Sequence, residues 1–140
     1  MKIAIIGGGA SGLFAGGLLS QEELNVTIFD GNEKLGKKIY ITGKGRCNVT
    51  NVGDSENYLA NVVHGQKFMM SSISRFNAKD TMLFFENLGC HLKVERGGRV
   101  FPVSDKASDI TKALEKNLNH AYCQVKLNEK VIKIVKSGEN

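Results

Sequence analysis

The residues best suited to chemistry stand at the N-terminus, in Gly7-Gly-Gly-Ala-Ser-Gly12. The spacing Gly7-x-Gly9-x-x-Gly12 follows an apolar run, Lys2-Ile-Ala-Ile-Ile6, and opens a segment with Leu13, Phe14, Leu18 and Leu19 clustered near one face. In such a turn the first glycine lets the chain leave a strand sharply. The second leaves room for a phosphate against the backbone, and the third lets the helix pack closely on the sheet. Gly16 extends that close-packing face. The helix that begins at Ala10 and Ser11 turns unpaired N–H groups and a partial positive charge toward any anion in the turn. Asp30 follows a second β-branched run, Asn25-Val-Thr-Ile-Phe29, roughly 20 residues beyond the glycines. Its carboxylate can accept hydrogen bonds from both hydroxyls of an adenosine ribose and would repel a 2′-phosphate. The pattern therefore points to FAD or NAD rather than NADP. A glycine turn that merely packs two elements is the plainer alternative.

A second unusual segment is Gly36-Lys-Lys-Ile-Tyr-Ile-Thr-Gly-Lys-Gly-Arg-Cys-Asn-Val-Thr-Asn51. Gly43 and Gly45 free its backbone, Lys38 and Arg46 could meet phosphate, and Asn48 and Asn51 offer amide donors and acceptors. Cys47 lies among cations that can lower a thiol pKa, although a small packed residue is the simpler reading. This segment resembles the signature of the BaiN/YhiN-like family of NAD(P)/FAD-dependent oxidoreductases, which runs close to G-K-K, three residues, then T-G-G-G-R-C-N-V-T-N. Lys44 stands where that family usually has glycine. Gly98-Arg-Val-Phe-Pro-Val-Ser-Asp-Lys-Ala107 is a further family-like stretch.

The resemblance implies an α/β Rossmann-like FAD-binding domain of the two-dinucleotide-binding-domain flavoprotein type. It implies a β-α-β start and a beginning β-meander, with Val131 meeting adenine through its backbone. It also implies that residues 1–140 are the N-terminal part of a longer FAD-binding domain, incomplete and inactive alone, with NAD(P)H as the electron donor of the full-length family. The catalytic residues and the substrate are not implied.

The elements that must position these residues follow from periodicity and punctuation. Strands are expected at Lys2–Ile6 and Asn25–Phe29, parallel and joined by a helix from Ser11 to about Glu23. Residues 31–57 read as a polar loop with one apolar patch at Ile39–Ile41. Residues 58–76 read as weakly helical. Asn77 opens a clearer helix with Asp80 at the capping-box position, and Gly89 ends it. Short strands at His91–Arg96 and Arg99–Val103 flank Gly97-Gly98, a two-residue turn signal. A helix after Ser104 and Asp105 sets Ala107, Ile110, Leu114 and Leu118 on one face. Strands are expected at Tyr122–Leu127 and Lys130–Lys136, the latter with the apolar pattern Val131, Ile132, Ile134 and Val135.

Composition narrows the functional classes. The chain has 140 residues, 41% hydrophobic and 24% charged, which suits one folded domain and excludes wholesale disorder. There are 16 glycines and one proline, so turns rest on backbone freedom. Cys47, Cys90 and Cys123 form no C-x-x-C, and His64, His91 and His120 show no metal-ligand spacing; no metal site is expected. Reduced thiols suit the cytoplasm. Ile3 to Gln21 is uncharged but too rich in glycine for a membrane helix. The net charge of +5 permits nucleic-acid binding, yet no basic stripe with interleaved aromatics appears, so neither nucleic acid nor membrane is expected as a partner. Two lesser readings stand beside the flavoprotein: a non-enzymatic module that self-associates through an open sheet edge, and a basic nucleic-acid-binding domain.

Overall fold

The computed structural model describes residues 1–136; the end of the chain, Ser137 to Asn140, lies outside them. The chain divides into two compact units, residues 1–38 with 114–140 and residues 39–113.

In the first unit the two β-branched runs form β1 (Lys2–Ile6) and β2 (Asn25–Phe29), joined by α1 (Ala10–Gln21). They pair in parallel from Lys2 opposite Asn25 to Ile6 opposite Phe29, as a strand–helix–strand crossover requires. β6 (Cys123–Lys126) joins the other side of β2, also in parallel, so the order is β1-β2-β6. The central strand buries most: Val26 and Ile28 are almost inaccessible, whereas Ile6 on β1 is 54% exposed. The sequence reads β1 as a buried strand; with a neighbour on one side only, it is an edge. α1 buries Leu13, Gly16, Gly17 and Ser20, with Gly17 against Asn117 and Ser20 bonded to the Asn119 N–H. A Cβ on Gly16 would stand 2.6 Å from the Ile28 Cδ1 atom and 3.5 Å from Leu118, so the absent side chain sets how closely helix and strand approach.

The second unit holds β3 (Thr50–Asn51), α2 (Ser55–Ala60), α3 (Gln66–Arg75), α4 (Ala78–Asn87), β4 (Leu92–Val94), β5 (Arg99–Pro102) and the start of α5 (Ala107–Lys116). Its sheet is antiparallel in the order β3-β5-β4. The region read as one weak helix is two, α2 and α3, separated at Gly65, whose φ is +79°. The capping box at Asn77 and Asp80 forms with both reciprocal bonds. The β4–β5 turn has three residues, not two: Glu95 N–H donates to the Arg99 carbonyl, closing Arg96–Gly98. Phe101, Val100, Ile110 and Ala107 are buried at its core.

One expected element is absent. Residues 127–136 form no strand, and Ile132, Ile134 and Val135 are 70–90% exposed. Alternating apolar residues make a strand only where a neighbour supplies the ladder. β6 stands at the edge of its sheet with β2 as its neighbour, and the meander anticipated after it does not begin among the described residues.

Candidate functional site

The site in the first unit is assembled where β1 and β2 end. Gly7 leaves β1 with φ +103°, and its N–H donates to the Phe29 carbonyl (2.8 Å), the last rung of the parallel ladder. Gly12 packs directly on the Gly7 carbonyl; a Cβ there would collide with that oxygen. At Gly7 and Gly9 the reverse holds, since a Cβ would meet nothing within 4 Å. Gly9 is the N-cap of α1 and supplies no side chain to the helix end, and the first turn carries no acid. The early N–H groups of Ala10, Ser11 and Gly12 have no acceptor earlier in the helix. The third glycine thus serves packing, while the first two border open space beneath a helix N-terminus. That is the shape and polarity a diphosphate needs.

Asp30 closes the side of this turn. Its Oδ2 accepts from the Gly8 N–H at 2.7 Å. Its Oδ1 accepts from the Asn32 N–H and from Asn32 Nδ2, both at 2.8 Å. Burial, the largest influence, works to raise the Asp30 pKa. The Asn32 N–H, the Asn32 side chain, the Gly8 N–H and Lys37 together outweigh it and hold the carboxyl below its ordinary 3.8. A carboxylate has about four acceptor positions, and three are taken. Asp30 can therefore receive one further hydroxyl without giving up a protein bond, rather than two.

Other residues complete the surround. Leu35, 7% exposed, covers Gly8 so closely that any side chain there would strike it, and Gly36 N–H donates to the Gly8 carbonyl at 2.8 Å. Glu129 N–H donates to the Asp30 carbonyl at 2.9 Å, and Asn128 N–H to the Asn32 carbonyl at 3.0 Å. These bonds bring the segment leading to half-buried Val131 alongside the Asp30 end of β2. Lys38 is exposed, two residues past Gly36. Gly8, Asn32, Leu35 and Gly36 were not singled out from sequence. Asp30-Gly-Asn32 does carry a local signal, because Asp accepts from a backbone two residues on in an Asx turn.

The remaining expected residues lie in the second unit. Gly43, Lys44, Gly45 and Cys47 all have positive φ: +54°, +56°, +85° and +60°. A Cβ on Gly43 would stand 3.0 Å from the Phe101 ring. Asn48 Oδ1 accepts from the Val100 N–H at 3.2 Å. Arg46 meets two carboxylates, Glu95 at 2.9 Å and Asp105 at 3.3 Å, and stacks 4.1 Å from the Phe101 ring centroid. Burial pushes the Cys47 thiol up, opposed only by a hydrogen bond with Thr42. Cys47 is packed at 7% exposure, and its burial outweighs the cations nearby in sequence. All three cysteines are unpaired and buried. No group of three metal-ligating side chains occurs among the described residues, and none of their helices is long and apolar enough to cross a membrane.

Comparison with known proteins places this geometry. The chain is 38% identical over 128 residues to a 3-dehydro-bile acid delta(4,6)-reductase of Clostridium scindens, covering 89% of the chain and 30% of that protein. It is 29% and 30% identical to ribosomal RNA dihydrouridine synthases of Haemophilus influenzae and Escherichia coli, covering 93% and 94% of the chain and 32% of each relative. The chain thus spans about a third of the length of these curated relatives. Among solved structures, THI4 of Thermovibrio ammonificans matches with a TM-score of 0.57 at 18% identity, over 90% of this chain and 38% of that one; this likeness concerns the fold alone. The family model for the HI0933-like protein Rossmann domain matches residues 1–140. The chain accordingly belongs to the HI0933-like family, the BaiN/YhiN-type flavoproteins that its glycine motifs resemble, and is a Rossmann domain of that family.

Proposed function

We propose that this domain binds FAD, with the diphosphate over Gly7, Gly9, Ala10, Ser11 and Gly12 and the adenosine ribose at Asp30. The observation that carries this reading is the open space at Gly7 and Gly9 beneath the uncapped start of α1, with an ionised Asp30 bonded to Gly8 at its side. A turn that served packing alone would fill that space. Val131 is assigned to adenine, and Lys38, Gly43, Gly45 and Asn48 to further cofactor contact, on the strength of the motif resemblance.

The relatives' names suggest the chemistry of the whole protein. A delta(4,6)-reductase and a dihydrouridine synthase both add two hydrogens across a carbon–carbon double bond conjugated with a carbonyl. We assign this protein the same class of reaction, with NAD(P)H as donor, in the cytoplasm. FAD, when bound, supplies the two-electron transfer; this chain's own residues hold and orient its dinucleotide portion. The higher identity to the bile-acid reductase favours a small-molecule enone or dienone over RNA.

The test is a titration of purified protein with FAD, read by flavin fluorescence and visible absorption. Saturable binding that disappears in folded Gly9→Val supports the assignment. Binding unchanged in Gly9→Val overturns it. A steep salt-dependent association with RNA and no flavin binding would favour the nucleic-acid reading instead.

A further inference from the structure

Arg46 has the chemistry of a phosphate ligand, yet its surroundings give it other work. One nitrogen, Nη1, lies 2.9 and 3.1 Å from the two Glu95 carboxylate oxygens and 3.3 Å from Asp105. Lys93 Nζ sits 2.6 Å from Asp105 and 3.6 Å from Glu95. Two cations and two anions close a neutral cluster, and the guanidinium covers the ring of buried Phe101. The same ring supports Gly43. Gly43, Lys44 and Gly45 run left-handed, as does Cys47 just beyond Arg46, and two of these residues, Lys44 and Cys47, are not glycine. Conformations of this kind persist only where surrounding contacts over-determine them. The turn's own bonds include Arg46 N–H to the Gly43 carbonyl at 3.2 Å and Cys47 N–H to the Thr42 carbonyl at 3.1 Å.

We infer that Arg46 is a positioning residue, which, through Glu95, Asp105 and Phe101, holds the left-handed 43–47 turn in shape before any cofactor arrives, and is not itself a phosphate ligand. Its bearing on cofactor affinity rests on the FAD reading above; its bearing on the turn does not. The two roles differ in what the acids do. If Arg46 were a phosphate ligand, Glu95 and Asp105 would compete with the phosphate, and neutralising them would tighten binding. If Arg46 is a clasp, neutralising them loosens the turn and weakens binding.

The experiment compares wild type, Arg46→Met, Arg46→Lys and the Glu95→Gln/Asp105→Asn pair by native-state hydrogen exchange of the Cys47 amide and by FAD titration. The β2 amides report whether the rest of the fold is intact. Arg46→Met and the acid pair are expected to speed Cys47 exchange at least tenfold without FAD and to weaken FAD at least fivefold, with Arg46→Lys intermediate in both. Adding Lys44→Gly to Arg46→Met should restore part of the protection, because it relieves the backbone strain against which the clasp holds the turn. Unchanged Cys47 exchange in Arg46→Met, or tighter FAD binding in the acid pair, overturns the inference. If Arg46→Met does not fold, the acid pair decides by the same readouts. If wild type binds no FAD, the FAD reading fails and the exchange arm alone decides the role of Arg46.

Discussion

Replacing Lys44 by glycine should stabilise this protein. Lys44 has φ +56° and ψ +43°, between Gly43 at +54° and +33° and Gly45 at φ +85°. An L-residue in this region brings its Cβ against the following carbonyl at a cost of about 1–2 kcal/mol. Glycine removes that cost but has more freedom to lose on folding, about 0.4–1 kcal/mol. The Lys44 side chain is exposed, so its loss forfeits little buried surface. At the middle of both ranges the balance is a gain of about 0.8 kcal/mol, or about 2–4 °C in Tm for a domain of this size. Urea denaturation followed by circular dichroism would measure it, with Lys44→Ala as the control that keeps the Cβ and its strain and removes the rest of the side chain. Glu23→Gly, at φ +57° in the turn between α1 and β2, should give a gain of the same order. If Lys44→Gly were neutral or destabilising while Glu23→Gly stabilised, the turn at 43–45 would not be under the strain inferred. The substitution also restores the residue that the BaiN/YhiN-like signature carries there, so this chain departs from its family at a position where the backbone favours glycine.

Gly12→Ala should cost more stability than Gly9→Ala, about 1–3 kcal/mol against less than about 0.5, because a Cβ strikes the Gly7 carbonyl at one site and meets open space at the other; equal losses in chemical denaturation would refute the division of roles. Asp30→Ala should weaken FAD by about 1.5–3 kcal/mol, one hydrogen bond involving a charged group, or roughly 10- to 150-fold by titration; a twofold change would mean that the carboxylate serves only the Gly8 and Asn32 bonds. The carboxyls of Asp30, Asp105 and Glu86 are all held below their ordinary values: Asp105 by Lys93 and Arg46, and Glu86 by the Leu92 N–H and His91. Because the unfolded chain then binds more protons, stability is complete above pH 4.5, the upper of the ordinary values, and declines as pH falls through the folded values. The urea midpoint should drop between pH 5 and about pH 3, less steeply in Asp105→Asn; a flat midpoint would contradict the assignment. Cys90, pushed up to about 11 chiefly by burial, should react with thiol reagents at neutral pH only as fast as the protein unfolds, which a native-versus-denatured labelling comparison would show.

What was legible in the residues was local. The glycine turn, β1 and β2 with their parallel pairing, the capping box at Asn77 and Asp80, and the buried face Ala107, Ile110, Leu114 and Leu118 all rest on neighbours within a few residues or on one crossover whose handedness is nearly fixed. Tertiary structure decided what depends on distant partners. Arg46 is a cation without a visible partner in the sequence, and chain reversal brings Glu95 and Asp105, 49 and 59 residues away, against it. Asp30 offers a full carboxylate in the sequence and one remaining acceptor position in the fold, because Gly8, 22 residues earlier, claims another. The run from Val131 to Val135 has the apolar character of a strand, yet it forms none among the described residues. Local conformation follows from steric and short-range hydrogen-bond preferences that each residue carries with it. Charges and strand edges carry only unsatisfied capacity, and the path of the whole chain determines which group meets it.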